Sequence, residues 1–71
     1  MIQISVLPVP GGWSVKTPFS DTLMFISGGR AERAAVSLAR GATAAGQWVE
    51  LVIHTRDGRL AGRRAYSPVP G

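Results

Sequence analysis

Apolar and polar residues alternate at the start of the chain, with Ile2, Ile4 and Val6 on one side and Gln3 and Ser5 on the other, which predicts a half-buried strand over residues 2–9. Pro8, Pro10, Gly11 and Gly12 close it. Proline fixes φ and withholds a donor while the glycine pair admits positive φ, so the chain reverses into a second strand at residues 13–17. Pro18 interrupts, and the apolar run from Thr22 to Ser27 reads either as a third strand or as a bulged continuation of the second. Beyond Gly28 and Gly29 the period lengthens. At 3.6 residues per turn Ala31, Ala34, Ala35, Leu38, Ala42 and Ala45 share one face, with Arg33, Ser37 and Arg40 opposite, predicting a helix over residues 30–45. Glu32 suits its third position if Gly29 is the N-cap, and Gly41 or Gly46 ends it. A face made of alanine permits close approach, so the helix is expected to lie flat on a sheet that supplies the larger side chains.

The clearest alternation follows, from Trp48 to Leu60, and it meets Asp57-Gly58, the backbone chemistry of a tight turn. A two-residue turn there sets Arg56 opposite Arg59, His54 opposite Ala61, Val52 opposite Arg63 and Glu50 opposite Ala65. Val49, Leu51, Ile53, Leu60 and Tyr66 then face the helix, and Arg56, Arg59 and Arg63 face outward. The competing register makes Arg56-Asp57-Gly58 a three-residue loop with a bulge at Gly58 and pairs Thr55 with Arg59. Together these elements predict an α+β fold: an antiparallel sheet of three to five strands with one helix packed on one face, in the order β-β-(β)-α-β-β. Residues 1–66 make a single domain, and residues 67–71, rich in proline, a flexible tail.

The matching features of three blocks, Gly11-Gly12-Trp13-Ser14-Val15, Ala31-Glu32 with Leu38-Ala39-Arg40, and Glu50-Leu51-Val52-Ile53-His54 followed by Arg56-Asp57-Gly58-Arg59-Leu60 and Tyr66, resemble a family of small bacterial proteins known only as a domain of unknown function. The resemblance runs from about Ile4 to Tyr66 and implies a compact α+β domain with no assigned site residues. The chain departs from that pattern in having Gly29 where a capping Thr or Ser is usual, and in a longer stretch between Ala39 and Glu50.

Composition narrows the chemistry. A chain of 71 residues buries only about 60% of its unfolded surface, so a partner subunit would add stability. Cysteine is absent, and neither a His/Asp/Glu cluster with ligand spacing nor a serine elbow occurs, so no metal, cofactor or catalytic group is assigned and the chain is expected not to be an enzyme. His54, the lone histidine, reads as a strand residue bonded locally to Tyr66 or Glu50. Eight basic against four acidic residues give a net charge of +4, and seven of the eight are arginine. That balance admits an anionic partner. Arg56, Arg59 and Arg63 are the candidate anion or nucleic-acid contacts, and Trp13 and Trp48 the candidate interface residues. One helix cannot cover both faces of such a sheet, so Trp48, Val52 or Phe25 left bare would favour a homodimer, sheet to sheet or edge to edge. The resulting expectation is a non-catalytic, self-associating interaction or structural module. The alternative is a nucleic-acid-binding module. Without a signal-like start or a membrane-length apolar run, the expected location is cytoplasmic.

Overall fold

The computed structural model describes residues 1–68. Five strands, β1 (Ile2–Val9), β2 (Gly12–Lys16), β3 (Leu23–Phe25), β4 (Val49–His54) and β5 (Leu60–Tyr66), form one sheet, with a single helix α1 (Gly28–Ala44) between β3 and β4. The fold is α+β, and the strands lie in the order β3-β2-β1-β4-β5. The sheet is mixed, which corrects the antiparallel expectation: β1 and β4 run parallel, with Ile2 to Val6 beside Val49 to Ile53. Parity is the reason. Residues 23–25 form a strand of their own, antiparallel to β2, so β3 points the same way as β1, and a helical crossover returns the chain in that direction again.

The first reversal is the two-residue turn Pro10-Gly11 between the paired residues Val9 and Gly12. Gly11 sits at φ 78°, a conformation that residues with a Cβ avoid. Gly12 serves differently, because a Cβ there would stand 2.5 Å from the Phe25 carbonyl oxygen and push β3 away. Pro8 is tolerated inside β1 because the ladder to β4 stops at Val6, which leaves the last residues of β1 edge-like on that side.

The helix begins earlier than its apolar period suggests. Ser27, not Gly29, is the N-cap, its hydroxyl accepting from the Arg30 N–H at 3.2 Å, so the capping hydroxyl sits two residues upstream and Glu32 lies beyond the third position. At the other end the helix passes straight through Gly41, and Ala45 is the C-cap. Gly46 at φ 90° then lets its own N–H reach the Thr43 carbonyl and the Gln47 N–H reach the Ala42 carbonyl, both at 3.0 Å, which is a Schellman closure.

The buried core joins Ile4, Val6, Val15, Val49 and Leu51 of the sheet to Ala31, Ala35, Ala39 and Ala42 of the helix. Ala39 belongs to this row although the periodic face omitted it, and Ala45 is exposed. Trp13, Phe25, Val36, Leu38, Ile53 and Tyr66 pack around the margin. The opposite sheet face is mostly polar: Gln3 donates to Glu50 at 2.9 Å, and Val52 sits between its paired neighbours Ser5 and Arg63. Of the expected tail, residues 67 and 68 carry no regular structure, and residues 69–71 lie outside the described residues.

Candidate functional site

The turn between β4 and β5 decides the roles of the candidate arginines. Thr55 and Arg59 close a three-residue loop, the Thr55 N–H donating to the Arg59 carbonyl at 2.7 Å and the Gly58 N–H to the Thr55 carbonyl at 2.9 Å. Gly58 has φ 87°, as the bulged loop requires. Thus the tip takes the competing register, while Val52–Arg63 and Glu50–Ala65 keep the pairing of a two-residue turn. The two are reconciled by a register shift between Ile53–Gly62 and His54–Leu60, where Ala61 is the extra residue. A one-residue slip exchanges the faces. Leu60, expected in the core, is therefore 52% exposed, and Arg56 no longer faces Arg59.

Arg56 crosses to the other half of the sheet instead. Its guanidinium donates to the Val9 carbonyl at 2.9 Å and to the Gly12 carbonyl, on either side of the Pro10-Gly11 turn, and lies 5.5 Å from the centre of the Trp13 ring. His54 does the same one step lower: its Nδ1 stands 3.1 Å from the Val6 carbonyl. A carbonyl only accepts, so that nitrogen carries a hydrogen. The partner is thus neither Tyr66 nor Glu50. Two side chains from the neighbouring hairpin thus donate to backbone carbonyls at the end of the β1–β4 ladder, Val6, and beside the Pro10-Gly11 turn, Val9 and Gly12. His54 also lines a small hollow of about 170 Å³ with Trp13, Gly28 and Glu32.

Arg59 and Arg63 are not brought to Arg56. Arg59 is exposed and its Nε lies 3.4 Å from Asp57 Oδ2, and Arg63 is exposed on the polar sheet face. The Thr55 hydroxyl, followed by the Arg59 backbone N–H, holds the Asp57 carboxyl below its ordinary value. Because the folded value is depressed, this contribution to stability is whole above the ordinary carboxylate range and fades as pH falls through the lowered one. Trp13 is half-buried beneath Arg56, whereas Trp48 is 54% exposed in the loop before β4.

A second feature was not marked as a site by the sequence. Phe19, Leu23, Met24 and Ile26, in and beside β3, are 49%, 37%, 63% and 81% exposed, and β3 is an edge strand with one side unpaired. Phe25, between them, packs into the core. The signal was an apolar run lacking alternation, in a sheet whose single helix covers only one face. The other edge, β5, carries Arg63 and Arg64.

Among the described residues no group of His, Cys, Asp and Glu could hold a metal ion, and no helix is long and apolar enough to cross a membrane. Comparison with protein-family models, with curated proteins and with solved structures finds no match.

Proposed function

We propose that the chain is a non-catalytic interaction module that pairs with a second copy of itself through β3. The carrying observation is the exposed apolar cluster Phe19, Leu23, Met24 and Ile26 on an unpaired sheet edge. Isolated exposed apolar residues are ordinary, but four within eight positions, in and beside an edge strand with one side unpaired, favour strand addition with apolar side chains alongside. Two β3 strands set antiparallel about a two-fold axis would satisfy both requirements. Sedimentation should find a dimer at low micromolar concentration, and Met24→Lys with Ile26→Lys should weaken it at least about tenfold while leaving the monomer folded, because both side chains are solvent-exposed. A wild-type monomer at high micromolar concentration removes the proposal.

A second reading, contact with nucleic acid, is supported by the exposed Arg30, Arg33 and Arg40 on the outer helix and by Arg59 and Arg63. Arg56 takes no part, since its guanidinium is engaged by backbone. The expected result is weak binding of labelled DNA or RNA at low salt, lost steeply as salt rises and reduced by Arg59→Glu with Arg63→Glu. Undetectable binding at low salt, or an affinity indifferent to these changes, eliminates it.

A further inference from the structure

The helix covers the centre of the sheet but not all of β5, and between them lies a cavity of about 250 Å³. Val36, Leu51, Ile53 and Tyr66 give it apolar walls, and Gly62 leaves it room: a Cβ there would meet nothing within 4 Å. Glu32 lines it from the helix and Arg63 and Arg64 from β5, and no ion pair joins Glu32 to either among the described residues, where Asp57 and Arg59 are the ion-paired groups. The Tyr66 hydroxyl, in the same wall, is buried without a hydrogen-bond partner.

We infer that this cavity binds a free α-amino acid with an aromatic side chain. The ring occupies the apolar walls, the ammonium group faces Glu32 and the carboxylate faces Arg64, so each charge on the rim meets its opposite. Volume sets the scale. The space lies just below the usual range for ligand pockets, which limits the occupant to about a dozen non-hydrogen atoms and the dissociation constant to roughly the micromolar-to-millimolar range. This inference is independent of self-association, because the cavity lies on β5 and the apolar edge on β3.

Titration with L-phenylalanine, followed by backbone amide chemical shifts, tests it directly. Saturable shifts are expected at Val36, Leu51, Gly62 and Arg64, with phenylacetate and phenethylamine, which each lack one charged group, binding roughly tenfold more weakly. Gly62→Leu fills the space without a backbone conflict, since Gly62 does not have positive φ, and should abolish the shifts in a folded protein. Arg64→Gln should weaken phenylalanine but not phenethylamine, and Glu32→Gln should weaken phenylalanine but not phenylacetate. The inference is overturned if phenylalanine gives no saturable shift at about 10 mM, if either half-molecule binds equally well, or if folded Gly62→Leu still binds.

Discussion

Ala35→Leu is expected to destabilise the fold by about 3 kcal/mol, the upper end of the usual range for overpacking. Ala31, Ala35 and Ala39 are fully buried and follow one another at intervals of four, so they form a single flat row against Ile4, Val6, Val15, Val49 and Leu51. A leucine in the middle of that row has no gap to enter. It must lift the helix and so uncover the neighbouring alanines and strand residues together. For 71 residues total stability is on the order of 4–11 kcal/mol, so this single change removes a large share of it and should lower Tm by roughly 10–25 °C. Ala44→Leu, on the exposed side of the same helix, should stay within about 0.5 kcal/mol. Thermal unfolding of the two variants decides the matter: equal effects would mean that close helix-to-sheet contact is not what holds the domain together.

The second large effect is expected at Arg56. Removing it by Arg56→Ala strips donors from the Val9 and Gly12 carbonyls and a cation from the face of Trp13, and should destabilise by about 2 kcal/mol, given the strength of charge-assisted hydrogen bonds and their partial exposure here. Arg56→Lys should recover less than half, because an ammonium is a point charge and cannot span two carbonyls as a planar fork does. Arg59→Ala, whose ion pair is exposed, should shift stability by no more than about 0.5 kcal/mol. Urea unfolding of the three variants separates the roles. Full rescue by lysine, or no loss in Arg56→Ala, would show that Arg56 does not clip the two halves of the sheet.

Much of the architecture was legible in the residues because it is local. The strand at Ile2 to Val9, the turn at Pro10-Gly11, the alanine helix and the hairpin ending in Asp57-Gly58 are each written in a few consecutive positions, and each is present. What escaped depends on distance or on a single extra residue. The parallel pairing of β1 with β4 joins positions 47 apart, as in Ile2 and Val49, and no periodicity records it. The helix start escaped because an apolar period does not report the capping hydroxyl of Ser27. The bulge at Ala61 escaped for a different reason: the body and the tip of the hairpin satisfy different registers, and either one alone gives a plausible pattern. That single residue carried Arg56 away from Arg59 and undid the proposed row of arginines. The exposed edge at β3 was hidden too, since an apolar run does not say which of its residues the sheet will leave outside.

The two borders of the sheet differ, and the difference limits growth. A protein with adhesive strands on both sides can add copies indefinitely and run on as a fibre, whereas here β5 carries Arg63 and Arg64 on the border opposite the apolar β3. Antiparallel addition at β5 would set arginine against arginine. The proposed pairing at β3 about a two-fold axis would consume the apolar border of both copies at once and leave only the charged ones outside, so such an assembly would be closed. On that proposal Arg63 and Arg64 have a use that requires no ligand: they would keep a small sheet from becoming the template of a larger one.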